Sequence, residues 1–276
     1  MEKQNSLSKN RNICELLAPA GSKEAFIAAV ESGADAVYAG GNLFNARINA
    51  HNFELAEIEE AVRFAHKRNV KVYITINVLI KDEELLEALE YAKNLYEIGV
   101  DAIIVQDIGF ANLVRKHLPG FELHMSTQAS VFDKDGVYQA MDLGFSRVVP
   151  ARELSLAEIE TLCKETPCEI EVFCHGAICV CYSGQCQMSR YIGGRSGNRG
   201  GCAQPCRLSY KSADRSGGTK ETALLSPSDM SMIDHLDKLC EAGVRSLKIE
   251  GRMKSPEYVA VVTSIYRKYL DIYAKN

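Results

Sequence analysis

The chain has 276 residues, of which 46% are hydrophobic and 25% are charged, values that exclude a disordered or fibrous protein. Its 32 basic and 36 acidic residues give a formal charge of −4 and exclude a uniformly basic, nucleic-acid-binding surface. No apolar run approaches the roughly 18 residues of a membrane span, and the polar residues 1–12 predict a flexible terminus without a secretion signal. We therefore expect a cytoplasmic protein.

Short apolar runs alternate with amphipathic segments along the chain and predict eight strands. These strands are expected at residues 15–19, 35–40, 71–79, 102–106, 122–126, 147–151, 169–175 and 246–250. Four of the intervening helices end at a glycine that suits a left-handed cap, namely Gly33, Gly99, Gly144 and Gly243. Repeated β–α units with short connections predict parallel strands. Eight such units predict the α/β class and, within it, a closed (β/α)8, TIM-like barrel.

The predicted helices cover residues 22–32 and 55–67, and Ser155 with Glu158 forms a capping box that begins another helix. Ser255-Pro256 begins the last helix. Its core-facing side is expected to carry Tyr258, Val261, Val262, Ile265 and Tyr269. No Gly-x-Gly-x-x-Gly follows the first strand, which disfavours a dinucleotide-binding fold.

One segment, residues 176–224, interrupts this alternation after the seventh strand and is rich in Cys, Gly and Arg. We predict a single barrel domain over residues 13–276 that carries this segment as an insertion. Between Gln187 and Lys220 the insertion has seven basic residues and one acid, a local charge of +6 in an acidic chain. A basic segment of this kind is typical of contact with phosphate groups.

Polar side chains occupy alternate positions of three predicted strands, where a barrel interior normally holds Val, Ile or Leu. Strand eight has Lys248, Glu250 and Arg252 on one parity. Strand five has His124, Ser126 and Gln128, and strand seven has Glu171, Phe173 and His175. Ion pairs that only close the barrel remain an alternative for the first set, and a satisfied core histidine remains one for His124.

Active sites of such barrels lie at the carboxyl ends of the strands. The candidates at this rim are Asn77, Asp107, Gln128, Arg152, Glu153, His175, Glu250 and Arg252.

Four cysteines of the insertion are spaced Cys179-x6-Cys186-x15-Cys202-x3-Cys206. Zinc ribbons usually pair their cysteines as Cys-x2-Cys, which this spacing does not do. Irregularly spaced thiolates among glycines and arginines favour an iron–sulfur cluster, whose negative charge arginines and backbone N–H groups would offset. A zinc site and unliganded thiols stay open as alternatives.

The stretch from Glu171 to Ser189 resembles the signature of the collagenase-like peptidase family U32. The matching positions are Glu171, Phe173, Gly176, Ala177, Cys179, Gly184, Cys186, Met188 and Ser189. Residues 15–21, 44–47, 124–128, 152–155 and 246–252 are also similar to family segments. The run 192–207 is most similar to the bacterial branch that makes 5-hydroxycytidine in large-subunit ribosomal RNA.

The resemblance implies an oxygen-independent hydroxylase with a 4Fe-4S cluster, acting on a pyrimidine in RNA. The target would be a cytidine of ribosomal RNA or the wobble uridine of tRNA, with prephenate as a hydroxyl source. The implied cluster ligands are Cys179, Cys186, Cys202 and Cys206, with Cys174 and Cys181 as spare candidates. Longer members of the ribosomal-RNA branch imply that this chain is the N-terminal, catalytic part of a larger protein.

For this chemistry we expect Glu171, His175 and Glu250 to act as acids or bases. Arg47, Arg152, Lys248 and Arg252 are expected to bind the carboxylates of a small donor. RNA contacts are expected from His124 and Gln128 at the barrel and from Arg195, Arg199 and Arg207 in the insertion.

Two other functions remain open. The family name implies a peptidase, which needs a nucleophile with a base or a hydrolytic metal. Neither His-Glu-x-x-His nor Gly-x-Ser-x-Gly occurs, and a His175–Cys179 pair would use a predicted cluster ligand. A non-catalytic RNA-binding module with a structural metal would explain the basic insertion but not the polar barrel interior.

Overall fold

A computed structural model describes residues 13–47, 52–213 and 218–275. The predicted flexible terminus, residues 1–12, lies outside the described residues. The strands are β1 (Glu15–Ala20), β2 (Ala36–Gly40), β3 (Lys71–Ile76), β4 (Ala102–Val105), β5 (Glu122–Met125), β6 (Arg147–Val148), β7 (Glu169–Gly176), β8 (Tyr210–Ala213), β9 (Thr219–Thr222), β10 (Met230–Ser231) and β11 (Ser246–Ile249).

Eight of these strands form a closed parallel barrel. β1 to β7 pair in sequence, β7 also pairs with β11, and β11 pairs with β1. The predicted (β/α)8 fold is therefore confirmed, and each predicted barrel strand overlaps an observed one. The remaining short strands belong to the segment between β7 and β11: β8 and β9 form a hairpin, and β10 lies antiparallel to the end of β7.

The helices are α1 (Lys23–Glu31), α2 (Leu55–His66), α3 (Leu85–Ile98), α4 (Ile108–His117), α5 (Lys134–Asp142), α6 (Leu156–Glu165), α7 (Met188–Gly193), α8 (Leu236–Ala242) and α9 (Pro256–Lys275). Ser155 and Glu158 form the predicted capping box of α6. Gly99, with a φ of 91°, closes α3 in the left-handed conformation. Within the described ranges, no helix is both long and apolar enough to cross a membrane.

The predicted core-facing side of α9 is wrong at Val261, Ile265 and Tyr269, whereas Tyr258 is partly buried against the core and Val262 is buried. Val259, Thr263, Tyr266 and Leu270 are buried with it, whereas Val261, Ile265 and Tyr269 are 56%, 43% and 48% exposed. Apolar residues occur on two sides of this helix, so their spacing alone did not fix its rotation. In the observed rotation, the buried Tyr266 hydroxyl donates a 2.7 Å hydrogen bond to the carbonyl of Cys174 in β7.

The insertion is fastened to the loops at the carboxyl end of the barrel. Ser183 is fully buried, and its hydroxyl donates to the Glu153 carboxylate at 2.9 Å. Gly184 (φ 71°) packs so closely on the loop after β5 that a Cβ atom there would lie 2.1 Å from the Gln128 carbonyl oxygen. On another side, Arg199 forms a 2.6 Å ion pair with Glu84 in the β3–α3 connection. The insertion therefore adjoins the barrel mouth at more than one strand.

Candidate functional site

The half of the barrel interior nearer the amino ends of the strands contains a group of paired charges. We call it the lower cluster: Glu15, Arg147, Glu169, Glu171 and Lys248. Arg147 Nη1 lies 2.6 Å from Glu15 Oε1 and 3.1 Å from Glu171 Oε2, and Lys248 Nζ lies 2.8 Å from Glu171 Oε1. Burial alone would raise the pKa of Glu171, but Lys248 and Arg147 together lower it to about 2. The carboxylate is therefore charged, and its oxygens are already bonded to cations.

His124 lies in the same half of the barrel. It is fully buried, and its ring packs edge-on against Tyr73 with 4.7 Å between ring centroids. Burial lowers the pKa of His124, which favours the neutral ring. Its Nε2 lies 3.0 Å from a carboxylate oxygen of Glu122. In this position the ring contributes to the packed interior below the mouth.

The carboxyl ends of the strands carry a second set of charges, which we call the mouth cluster: Tyr38, Arg47, Thr75, Glu250 and Arg252. Arg47 Nη2 lies 3.1 Å from Glu250 Oε1. Arg252 is buried and donates from Nη1 to the Thr75 hydroxyl at 2.9 Å. Gly40 leaves room for this side chain, because a Cβ atom there would lie 2.6 Å from Arg252 Nη1. The Tyr38 hydroxyl donates to the Ile249 carbonyl at 2.9 Å.

The mouth cluster has an excess of positive charge. Burial and the neighbouring Arg47 lower the pKa of Arg252 to about 10, so its charge is held at an electrostatic cost. Burial alone would raise the pKa of Glu250, but Arg47, Arg252 and Arg152 lower it. One carboxylate thus faces two nearby guanidinium groups, and an anionic ligand would offset the excess.

Gln106 adds an unpaired acceptor at the same level of the barrel. The residue is 7% exposed and follows the inward-facing row of β4, and its amide nitrogen donates to the Gln128 carbonyl at 3.3 Å. Its side-chain oxygen is buried and has no hydrogen-bond partner among the described residues. Buried acceptors are normally paired, so this oxygen is available to a ligand.

The structure separates the sequence-predicted residues into groups. The mouth brings together Arg47, Gln128, Glu250 and Arg252, with Arg152 at its edge, where Nε donates to the Ser183 hydroxyl at 3.2 Å. Glu171, His124 and Lys248 lie below. The other rim candidates are structural: Asp107 caps α4 by accepting from the Phe110 amide, and Asn77 accepts from the Ala46 amide, both at 2.9 Å.

His175 does not continue the inward row formed by Glu171 and Phe173. The β7–β11 pairing shifts register between Lys248 and Ile249, and this irregularity breaks the alternation of side chains at the end of β7. The His175 ring instead packs 5.7 Å from the Tyr266 ring and 6.1 Å from the Tyr258 ring, both of α9. Burial lowers the pKa of His175.

Two of the three arginines predicted to contact RNA have intramolecular roles. Arg199 pairs with Glu84, and Arg207 donates to the carbonyls of Ile178 and Pro227 at 2.7 and 2.6 Å. These bonds hold the insertion in shape and use most of the donors of both guanidinium groups. Arg195, by contrast, is exposed.

Five thiols gather in the insertion. Cys179, Cys181, Cys186 and Cys206 are half-buried, and Cys202 is exposed. Burial and the neighbouring Cys186 and Cys179 thiols raise the pKa of Cys181, and burial and Cys179 raise that of Cys206. The cysteines are therefore close enough to interact, and Cys181 stands among them. Cys174 faces elsewhere: it is fully buried in β7, with its sulfur 3.5 Å from the Lys248 carbonyl oxygen.

The donor atoms of the cysteine group are of the type that holds iron–sulfur clusters. Within the part of the chain that the structure describes, no three His, Cys, Asp or Glu side chains form a group that could hold a single metal ion. A 4Fe-4S cluster would take one cysteine thiolate per iron. Positive charge lies nearby. The Arg207 guanidinium partly offsets the raised pKa of Cys206, and the Cys202 thiol contributes slightly to the raised pKa of Arg47. Thiol donors beside guanidinium groups fit such a cluster.

The sequence analysis did not identify several residues that form the two clusters or lie beside them. Tyr38 and Arg147 occupy inward positions of β2 and β6, so strand alternation could have found both. Gln106 extends the β4 row in the same way. Ser183 gave no signal, because nothing in a Cys-x-Ser-Gly stretch indicates a buried anchor.

The structure thus defines a (β/α)8 barrel whose arginine-rich mouth adjoins a cysteine-rich insertion. The family model of peptidase family U32 matches residues 21–276, so the chain belongs to this family and the predicted resemblance is confirmed. A solved structure of a U32 peptidase aligns with a TM-score of 0.52 at 15% identity, covering 60% of this chain and 70% of that chain. At that identity the likeness concerns the fold alone.

Curated relatives have names from two functional classes. A 23S rRNA 5-hydroxycytidine synthase of Escherichia coli (strain K12) is 46% identical over 93% of this chain, and a tRNA hydroxylation protein P1 of Bacillus subtilis (strain 168) is 42% identical over 95%. This chain spans 39% and 64% of their lengths, respectively. A protein named collagenase from Porphyromonas gingivalis (strain ATCC BAA-308 / W83) is 34% identical over 97% of this chain and 68% of its own length.

Proposed function

We propose that this chain is the catalytic barrel of an iron–sulfur enzyme that hydroxylates a pyrimidine in RNA without molecular oxygen. The observation that carries the proposal is the proximity of the mouth to the cysteine group: Arg47 pairs with Glu250, which raises the pKa of Arg47, and the Cys202 thiol adds a smaller electrostatic contribution to that rise. The names of the two RNA-modifying relatives, at 46% and 42% identity, support RNA as the substrate. We favour a cytidine of large-subunit ribosomal RNA over a tRNA wobble uridine. An RNA substrate also favours a cytoplasmic location.

The cofactor in this proposal is a 4Fe-4S cluster held by Cys179, Cys186, Cys202 and Cys206. Cys181 is the alternative fourth ligand, because it adjoins Cys186 and Cys179. When bound, the cluster would supply one-electron redox chemistry beside the barrel mouth.

The chain's own residues would bind and orient the reactants. Arg252 and Arg47 would hold the carboxylates of a small donor such as prephenate, because both guanidinium groups face the mouth. Glu250 is half-buried, and the neighbouring arginines lower its pKa, so its carboxylate is ionised and would act as a weak base at the mouth. The unpaired side-chain oxygen of Gln106 would accept a hydrogen bond from the exocyclic amino group of a flipped-out cytosine.

A collagenase-like peptidase is the second candidate, because one relative has that name. Its chemistry would require a nucleophile bonded to a base. In the described ranges, the His175 ring contacts two tyrosine rings, and its Nδ1 is buried without a hydrogen-bond partner. The arrangement therefore favours the hydroxylase.

The test combines iron analysis with nucleoside mass spectrometry. Protein purified without oxygen should contain about four irons and four sulfides. RNA from a strain that lacks the gene should lose one hydroxylated pyrimidine. Cys179→Ser should fail to restore it, whereas Cys163→Ser, a cysteine outside the insertion, should restore it.

Colourless protein with one zinc ion would overturn the redox proposal. Unchanged RNA in the deletion strain, together with lost gelatin hydrolysis, would favour the peptidase instead.

A further inference from the structure

The insertion exposes two large aromatic side chains. Tyr191 in α7 is 86% exposed, and Tyr182 is 67% exposed. Both lie within the cysteine-rich stretch, Tyr182 between Cys181 and Cys186 and Tyr191 between Cys186 and Cys202. Single exposed aromatic side chains are common on protein surfaces, so the exposure of these two counts towards a binding site only together with the fixed backbone and the positive charge around them.

The backbone under each tyrosine is fixed. Ser183, next to Tyr182, donates from its amide to the Glu153 carboxylate at 2.9 Å, and the Tyr182 ring packs edge-on against Phe132 at 6.5 Å between centroids. In α7, Ser189 is 3% exposed, and its hydroxyl accepts from the Ala203 amide at 3.0 Å. The rings are thus presented from ordered backbone, which lowers the entropic cost of binding.

Positive charge accompanies the tyrosines. Residues 187–213 contain five basic residues and no acid. Because Arg199 and Arg207 are used inside the fold, the outward charges of this stretch are Arg190, Arg195 and Lys211. Arg190 and Arg195 flank Tyr191 along the chain. The side chain of Arg195 forms no hydrogen bond or ion pair within the described part of the chain.

This surface adjoins the mouth. The Ser189 hydroxyl lies 3.8 Å from the Cys202 sulfur, and Cys202 is near enough to the mouth cluster to add a small electrostatic contribution to the raised pKa of Arg47. A strand of RNA lying across α7 would therefore deliver its neighbouring nucleotide towards Arg47 and Glu250.

We propose that Tyr182 and Tyr191 are stacking platforms for the unpaired bases that flank the target nucleotide, with Arg190 and Arg195 holding their phosphates. The inference rests on the proposed function and names the form of its substrate: single-stranded RNA. Aromatic rings beside arginines are the usual means of binding unpaired RNA, because every base has a face that can stack. A stacked duplex would offer no free base faces to these rings.

The experiment measures binding of a fluorescently labelled, unstructured single-stranded RNA by the full chain, by anisotropy. Tyr191→Ala and Tyr182→Ala should each weaken binding about 5- to 100-fold, whereas Tyr191→Phe should stay within about twofold of wild type. Tyr269→Ala removes a ring that is 48% exposed on α9 and should leave binding unchanged. Arg195→Gln should reduce the salt dependence by about one phosphate contact.

The outcomes separate this inference from the proposed function. If Tyr191→Ala and Tyr182→Ala both bind RNA as tightly as the wild-type chain does, the stacking surface is overturned and RNA remains the substrate. A Tyr191→Phe variant as weak as Tyr191→Ala would also overturn it, because the ring face would then not be the binding element. Absence of RNA binding by the wild-type chain would overturn both. Thermal melting of each variant checks that the fold is intact.

Discussion

The two ends of the barrel interior use the same residue types in opposite ways. In the lower cluster Glu15, Glu169 and Glu171 meet Arg147 and Lys248, and Arg245, which lies outside the cluster and is half exposed, pairs with Glu169 as a third cation. In the mouth cluster one carboxylate, Glu250, faces Arg47 and Arg252. The lower charges are matched within the protein, and the upper ones are not.

This difference shows that a buried charge alone does not identify a functional residue. A matched group such as Glu171 holds the barrel together, whereas an excess of one sign at an opening predicts a ligand of the other sign. The lower cluster should therefore control stability, and the mouth cluster should control activity.

The largest expected effect is on the lower cluster. Glu171→Gln leaves Lys248 and Arg147 buried with one negative charge fewer, so we expect the free energy of unfolding to fall by about 3–5 kcal/mol. Chemical denaturation followed by circular dichroism measures it. Glu59→Gln, which removes an exposed ion pair with Arg63, should cost less than about 1 kcal/mol. A stable but inactive Glu171→Gln protein would instead make Glu171 catalytic.

Acid should weaken the same cluster. The pKa of Glu171 is about 2 in the folded protein against an ordinary value of 4.5, so its contribution is complete above pH 4.5 and is lost as the pH falls towards 2. The loss amounts to about 3 kcal/mol. Denaturation of wild type and Glu171→Gln from pH 7 to pH 2 measures it: the difference between them should shrink below pH 4.5. A constant difference would mean that Lys248 and Arg147 do not lower the pKa of the Glu171 carboxyl group.

At the mouth the expected pattern is reversed. Arg252→Met should reduce formation of the hydroxylated nucleoside about 10- to 100-fold, because a charged hydrogen bond to the ligand is lost. Stability should stay level or rise slightly, since burial and Arg47 already disfavour the Arg252 charge. Arg245→Met, at the other end of the barrel, is the matched control and should retain activity. Equal losses in both variants would remove the distinction between the two ends.

The smallest expected effect concerns the attachment of the insertion. Arg199→Leu removes the 2.6 Å ion pair with Glu84 and should cost about 1 kcal/mol. Hydrogen exchange should become faster in residues 195–207 and remain unchanged in the barrel strands. The neighbouring variant Arg195→Leu should leave exchange unchanged, because that side chain is exposed. Uniform acceleration over the whole chain would show that the insertion is part of the barrel's own stability.

The sequence was sufficient where a repeating pattern specifies the structure. Alternating apolar runs located all eight barrel strands, and the parity of Lys248, Glu250 and Arg252 placed them inside the barrel or at its rim. The sequence was insufficient where a contact with a residue far away in the chain determines the position of a side chain. Arg199 and Glu84 are 115 residues apart, and the register shift that redirects His175 depends on a pairing between β7 and β11. The rotation of α9 likewise depends on which of its two apolar sides packs against the barrel.

Ser183 joins the cysteine loop to the loops of the barrel and not to its strands. Among the residues that the structure describes, the barrel strands pair with one another and with β10, whereas the cysteine loop is held to the loops above them by polar contacts such as the Ser183–Glu153 hydrogen bond. Loss of the Ser183–Glu153 hydrogen bond would therefore loosen the loop without breaking any hydrogen bond between barrel strands.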